Sequence, residues 1–254
     1  MKKIHFDILT IFPEVFGAYC SCSILGRAQK EKRVSITAHD LRTFSDDRRG
    51  RVDDSPYGGG PGMLMRVVPF DRALKALRSR RGKKTERVIL LSAKGRPFTA
   101  ADAVRLSKYR RLVLLCGRYE GVDERVAEGL VDEEISIGPY VLTGGELPAM
   151  IVVDAVARQI PGVLGDAASL DEESHTTLGV MEAPQYTRPE EYRGMKVPDV
   201  LLSGNHKKIL EWRKTASIRN TLISNASSAD FPAIASTKSN IKKRGAEISG
   251  ATRH

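Results

Sequence analysis

Up to about residue 160, apolar and polar positions follow two alternating periods. Short, nearly continuous apolar runs read as buried strands: Ile4 to Ile11, Ser35 to Ala38, Val88 to Leu91, Leu112 to Cys116, and Ile135 to Gly138. Between them the spacing turns helical. Pro13 can open a helix to about Tyr19. Pro69 to Arg81 puts Ala73, Leu74 and Leu77 on one face and ends in basic residues, which suit the negative end of a helix dipole. Thr99 can cap a helix to about Lys108. After Gly145, the residues Ala149, Val152, Val153, Val156 and Ile160 recur at helical spacing. Glu146 and Pro148 fit its first turn, where a carboxylate complements the dipole and proline loses no hydrogen bond. Strands alternating with helices of about ten residues predict an α/β fold, a parallel sheet with helices on its faces.

Two stretches interrupt this pattern. Asp40 to Met63 is a long polar loop containing DDRRGRVDDSPYGGGPGM, too flexible and too charged for a core element, and a loop of that length within a compact domain is usually functional or disordered. From Pro161 the texture becomes small, polar and acidic. The expected organisation is therefore an α/β domain over residues 1–160, a linker over 161–176, a small mainly helical domain over 177–224 and a mobile tail over 225–254. Within the second domain, Gln185 to Met195 and Val197 to Asn205 carry too many breakers for a long element. Lys207 to Leu222 predicts a helix bearing Lys207, Lys208, Arg213, Lys214 and Arg219.

Composition changes the picture mainly through charge. Of 254 residues, 41 are Lys or Arg and 31 Asp or Glu, a net charge of +10 that favours a polyanionic partner such as nucleic acid. No run of about 18 apolar residues predicts a membrane span, and Met1 to Ile11 enters a strand pattern without a signal-peptide core, so a cytoplasmic location is expected. Cys20, Cys22 and Cys116 form no CxxC pair and read as small core fillers. The histidines are scattered, with no HExxH.

Candidate chemistry gathers at three strand ends. Glu134 to Met150, EISIGPYVLTGGELPAM, carries a strand into a glycine pair and then a helix, so a ligand can lie against bare backbone with no Cβ in the way. LLSAKG, Leu90 to Gly95, and LLCGRYEGVDER, Leu114 to Arg125, end two other strands in the same manner. In an open α/β sheet, ligands bind outside the carboxyl ends of strands, so three such turns point to one crevice. Neither GxxxxGK[ST] nor GxGxxG with a following acid is present, which argues against a mononucleotide-binding enzyme.

A series of blocks in fixed order then resembles a known family. These are GRAQK at Gly26 to Lys30, VDDSPYGGGPGM at Val52 to Met63, CGRYEGVDER at Cys116 to Arg125, SIGPYVLTGGELPAM at Ser136 to Met150, and IPGVLG at Ile160 to Gly165. They continue with YTRPEEYRGMKVPDVLLSGNH at Tyr186 to His206 and WRKTASIRNT at Trp212 to Thr221. Over about residues 1–222 the chain is similar to the bacterial tRNA (guanine-N1)-methyltransferases, of the SPOUT class.

The resemblance implies an α/β domain whose parallel sheet is tied in a deep trefoil knot, a small mainly helical C-terminal domain and a homodimer. It also implies S-adenosylmethionine as methyl donor, magnesium as used by relatives, and tRNA as partner, methylated at N1 of guanine 37 beside the anticodon. Carried over by motif, the cofactor would contact Leu90, Leu91 and Ser92; Gly117, Tyr119, Glu120 and Gly121; and Ile137, Gly138, Tyr140, Val141, Leu142, Gly144 and Gly145. Glu173 stands where the family has its catalytic aspartate, with Asp171 two residues earlier as the alternative base and Arg158 as electrostatic partner. A tRNA-binding protein that has kept the fold and lost the reaction is the competing expectation. The family's leucine-rich helical ending is missing after Leu222.

Overall fold

The computed structural model describes residues 3–165, 174 and 180–229. The chain divides into two compact units, residues 1–171 and 172–254.

The first unit is built on a sheet of five parallel strands: β1 (Ile4–Thr10), β2 (Val34–Asp40), β5 (Glu86–Pro97), β6 (Arg111–Cys116) and β7 (Glu133–Ser136), in the spatial order β2-β1-β6-β5-β7. Two minor strands, β3 (Asp53–Asp54) and β4 (Leu64–Met65), pair antiparallel beside it. Helices cover both faces, as parallel strands buried on both sides require. On one face α1 (Val15–Cys20), α2 (Ser23–Lys30), α4 (Ala100–Leu106) and α6 (Glu146–Ala157) close over Ile4, Phe6, Ile8, Ile89, Leu112 and Leu114. On the other, α3 (Val67–Ala76) and α5 (Glu124–Gly129) close over Leu9, Ile11, Val88, Leu90, Val113 and Leu115. The alternation of these residues along each strand is the period-two pattern that assigns side chains to opposite faces. Thr99 caps α4 in a reciprocal capping box with Asp102.

Several expectations need correction. The helix predicted over Pro69 to Arg81 runs from Val67 to Ala76: Arg78 adopts φ +52°, which ends the helix and leaves the basic residues beyond it in a loop. The strand predicted over Val88 to Leu91 extends from Glu86 to Pro97, and LLSAKG is a bulge in it, with the register to β7 shifting between Leu91 and Arg96. A Cβ on Gly95 would lie 2.6 Å from the backbone nitrogen of Ile135, so only glycine lets the two chains pass there. The loop from Asp40 contributes to the core after all, through buried Leu41 and Val52, and starts with a 3-10 turn at Leu41–Phe44. Tyr140 to Leu142 is an exposed loop. Cys20 and Cys116 are buried, but Cys22 is exposed and bonds the carbonyl of Ala18. Helices α2 and α5 were not anticipated, being short and poor in apolar spacing.

In the second unit a hairpin of β8 (Glu191–Tyr192) and β9 (Met195–Lys196) precedes α7 (Asp199–Leu202) and the long α8 (His206–Ala229), which outruns the predicted Lys207 to Leu222. The mobile tail expected over residues 225–254 lies largely outside the described residues.

Candidate functional site

At the carboxyl ends of β5, β6 and β7 three segments converge. The β7–α6 loop is pinned to the β6–α5 loop by the Gly145 N–H donating to Gly117 O at 2.9 Å and by an antiparallel bridge between Arg118 and Gly144. The β6–α5 loop is tied in turn to the end of the glycine-rich loop: Glu120 N–H donates to Met63 O (3.1 Å), and Met65 N–H to Gly121 O (3.0 Å). Between these segments and the β5 bulge lies a cleft of about 520 Å³, within the range of small-molecule sites.

The placement of the sequence-predicted residues is specific. Leu90, Leu91 and Ser92 from β5, Gly117, Tyr119, Glu120 and Gly121 from the second segment, and Ile137, Tyr140, Val141, Leu142, Gly144 and Gly145 from the third all line this cleft. Gly138 stands just behind the lining, where a Cβ would meet the Tyr140 ring at 2.7 Å. At Gly144 a Cβ would lie 2.6 Å from Arg118 Cδ, and at Gly145 2.7 Å from Cys116 Cα. The two glycines are therefore required by what packs behind the loop, the Arg118 and Glu146 side chains at Gly144 and the backbone of Cys116 and Gly117 at Gly145.

Sequence reasoning missed the polar groups that hold these loops. Glu146, only 4% exposed, accepts from Thr10 Oγ1 (2.8 Å) and from Arg118 Nε (3.1 Å). The Arg118 guanidinium lies 4.5 Å from the Phe12 ring centroid, a cation–π contact. A carboxylate in a first helical turn resembles a dipole complement, but here it is a buried anchor. Both residues lay inside the quoted motifs, CGRYEG and GGELP, each directly following a glycine, which was the available signal. Burial pushes the Cys116 thiol well above its ordinary pKa, with nearby Glu146 adding to the effect, so it stays protonated beneath the cleft. At the rim, a hydrogen bond from Lys94 to Glu124 raises the lysine pKa. Glu134, another lining residue, has its Oε1 buried with no hydrogen-bond partner among the described residues.

Arg158 is the C-terminal cap of α6. Thirteen residues of helical rise put it about 20 Å along the helix from Gly145. Asp154, one turn before it, accepts a hydrogen bond from Tyr19 and raises the phenol pKa. Glu173 and Asp171 lie outside the described residues. Among the described residues no group of three or more His, Cys, Asp or Glu could hold a metal ion, and no helix is long and apolar enough to cross a membrane.

In the second unit the predicted cations Lys207, Lys208, Arg213, Lys214 and Arg219 are all exposed on α8. The WRKTASIRNT motif has a structural task as well. Thr221 Oγ1 accepts from Met181 N–H at 3.0 Å, and Asn220 Nδ2 donates to Glu182 O at 2.9 Å, holding an extended segment against the helix. Tyr186 packs on Trp212 with ring centroids 6.3 Å apart.

Comparison with known proteins agrees with this geometry. The family model described as tRNA (Guanine-1)-methyltransferase TrmD matches residues 4–227. A tRNA (guanine-N(1)-)-methyltransferase of Pelotomaculum thermopropionicum is 53% identical over 216 residues, covering 85% of this chain and 86% of the relative. Relatives of the same description are 51% identical over 220 residues in Dictyoglomus turgidum, covering 87% of each chain. In Burkholderia vietnamiensis the figure is 47% over 224 residues, covering 87% of this chain and 84% of the relative. The chain belongs to the tRNA (guanine-1)-methyltransferase family.

Proposed function

We propose that this family member transfers a methyl group from S-adenosylmethionine to N1 of the guanine at position 37 of tRNA, in the cytoplasm and as a homodimer. The observation that carries the reading is the cleft, where three strand-end segments present backbone and glycine around a space of about 520 Å³.

The cofactor fits by the test of shape. Gly144 and Gly145 bring bare backbone to the cleft wall, where the groups packed behind them leave no room for a side chain, and Glu134 in the lining keeps a buried carboxylate oxygen without a hydrogen-bond partner among the described residues. Leu90, Leu91 and Ser92, Gly117 to Gly121, and Ile137 to Gly145 would hold it, with adenine between apolar side chains and backbone groups. When bound, S-adenosylmethionine supplies an electrophilic methyl group on its sulfonium.

This chain's own residues must manage the guanine. N1 carries a proton at neutral pH, and a carboxylate within hydrogen-bond reach removes it as N1 attacks. We assign that role to Glu173, with Asp171 as the alternative. Arg158 would steady the negative charge that builds on O6, since a guanidinium stays charged and matches an oxygen acceptor. The relatives' magnesium finds no donor set among the described residues, and no step is assigned to it.

A homodimer reconciles Arg158 with the cleft. At about 20 Å along α6 from Gly145, the arginine is a helix length from its own cleft, which favours a second copy contributing to each site. The outer side of α6 leaves Leu147 and Ile151 exposed, at 57% and 45%, beside Tyr19 on α1, and Val141 at the cleft mouth is 85% exposed. Such apolar surface suits a partner. The glycine-rich loop from Pro56 to Gly62 and the linker near Ser169 to Ser174 would then meet across subunits over the target base.

We read residues 1–160 as the SPOUT domain with its trefoil knot, 161–176 as the linker and 177–224 as the tRNA-binding domain. The knot is supported by backbone passing against backbone at Gly95 and at Gly145, where a single methyl would block the crossing. Exposed cations on α8 support the tRNA role.

The test is incubation with labelled S-adenosylmethionine and an unmodified tRNA transcript bearing guanine at positions 36 and 37. Label at N1 of guanine 37 is expected. Cofactor and tRNA binding without transfer would mean that the chain has kept the fold and lost the reaction, and sedimentation as a fully active monomer would overturn the dimer.

A further inference from the structure

The amino ends of the strands, opposite the cleft, carry charge that the methyl-transfer reading does not use. Sheet register brings their loops together. Ile4 pairs with Val34, His5 with Arg111, and Glu86 with Arg111, so the residues just before β1, β6 and β5 stand side by side. His5 N–H donates to Arg110 O at 2.9 Å, and Arg110 N–H to Thr85 O at 2.9 Å. With neighbouring strands about 5 Å apart, these loops form one surface roughly 15 Å wide.

That surface is cationic and its charges are uncompensated. Lys3, Arg78, Arg80, Lys84, Lys108 and Arg110 are all exposed, and none of them pairs with a carboxylate among the described residues. The acids near them are already engaged. Glu86 is buried and accepts from Ser79 (2.9 Å), from the Arg80 N–H (3.0 Å) and from Lys83 (3.1 Å). Asp132 accepts from the Gly82 N–H at 2.7 Å and the Val88 N–H at 2.8 Å. Other cations have fold tasks: Arg81 donates to Glu128 O, and Arg111 to Asp7 (2.6 Å) and Leu77 O (2.8 Å).

Helix dipoles account for only part of this charge. Cations complement the last turn of a helix, and Lys75 in α3 and Arg105 in α4 do so. Arg80, Lys84 and Arg110 lie beyond the helix ends, where that effect has fallen off. Like charges gathered without acids repel one another, which a polyanion relieves.

We infer that the amino-end surface binds the sugar–phosphate backbone of RNA, at a second contact about 20 Å from the cleft, outside the loop that carries the target base. The distance follows from six residues of β6 at roughly 3.3 Å each. The exposed cations come from three loops along an extended row, which fits a chain of phosphates better than one phosphate. Among the described residues no exposed large apolar side chain lies in these loops to insert into a lipid surface. The identification of the polyanion as RNA rests on the proposed function; the existence of the surface does not.

The test replaces four residues whose side chains bond nothing else among the described residues, in a variant carrying Arg80→Gln, Lys84→Gln, Lys108→Gln and Arg110→Gln. Fluorescence anisotropy would follow binding of full-length tRNA transcript and of an isolated anticodon-arm hairpin between 50 and 200 mM KCl. Each lost phosphate contact flattens the slope of log affinity against log salt by nearly one. A flattening of about three is expected with full-length tRNA and none with the hairpin, with S-adenosylmethionine affinity unchanged. A companion variant with Arg80→Lys and Arg110→Lys keeps the charge and should keep the wild-type slope. Equal slopes for the wild type and the glutamine variant on full-length tRNA would overturn the inference. So would loss of binding to phosphatidylglycerol vesicles with the tRNA slope intact, which would assign the surface to lipid. Because the slope is read without catalysis, failure to methylate the transcript would count against the function and leave this outcome readable.

Discussion

At the carboxyl ends of β5, β6 and β7 the chain places glycine and backbone, and much of the charge there is paired within the fold, Glu146 with Arg118 and Lys94 with Glu124. At the amino ends of the same strands it places long cationic side chains with no acid to answer them. On the proposed function the first end would select by shape: a fixed surface complementary to one molecule, which a single misplaced methyl would exclude. The second selects by charge, through many weak and interchangeable contacts that add. The two ends should therefore respond to mutation in different ways, steeply at one and gradually at the other.

The steepest response is expected at Gly144. Gly144→Val forces a branched Cβ against Arg118 and Glu146, and calorimetry should register a loss of S-adenosylmethionine affinity of at least 100-fold in a variant that still folds. Wild-type affinity in that variant would remove the cleft from the proposed function.

Next comes the proton acceptor. Glu173→Gln should lower the single-turnover methylation rate on the order of 100-fold, the scale on which a misplaced group about 1 Å away is felt, while Asp171→Asn should keep most of it. The reverse pattern would pass the role to Asp171.

A smaller effect is expected at Glu146, which acts through Arg118 and Thr10. Glu146→Gln keeps the shape and removes the charge that aims the guanidinium. Cofactor affinity should fall about tenfold, the scale of one charge-assisted hydrogen bond, with partial recovery in Glu146→Asp. If Glu146→Gln lowered only the melting temperature and left affinity untouched, the buried pair would be part of the scaffold and the contrast between the two ends would weaken.

The smallest effect concerns the edge of the sheet between the ends. Burial pushes the Asp102 and Glu133 carboxyls up. Arg96, Thr99 and Arg105 outweigh this at Asp102, and Arg105, Arg96 and Arg87 do so at Glu133, so both are held below the ordinary carboxylate range. A folded-state pKa depressed in this way gives stability that is present above the unfolded value, near pH 4, and is lost as pH falls below it. Arg105→Ala should lower the melting temperature by about 2–4 °C at pH 7, and by less than that at pH 3, where the same carboxyls take up protons in the unfolded chain. A shift of equal size at both pH values would mean that the arginine matters for packing alone.

Much of this architecture could be read from apolar runs, because a strand buried on both faces has little choice of composition. The strands around Ile8, Ile89 and Leu114, and the helix from Glu146, follow directly. The three segments of the cleft were legible because a close backbone approach demands glycine, which stands out in a sequence. What stayed hidden depends on partners distant in the chain. Glu146 is buried because Thr10, 136 residues away, and Arg118 meet it. The bulge at Leu90 to Gly95 exists because Ile135 passes beside it. Leu41 and Val52 were hidden by the polar residues around them, and α5 was too short to show a period. The cationic surface was visible only as net charge until the register put Arg110 beside Thr85.

The backbone lining of the cleft also bears on drug resistance. Mutation replaces side chains and leaves amide groups in place, so an inhibitor anchored to the main chain around Gly117, Gly144 and Gly145 offers few residues whose exchange would weaken its grip alone. At Gly144 and Gly145 a substitution would place atoms within 3 Å of Arg118 or Cys116, and on the proposed function the same atoms would shut out the methyl donor. A cell under such an inhibitor would have to look for escape elsewhere, in the amount of enzyme it makes or the compound it admits.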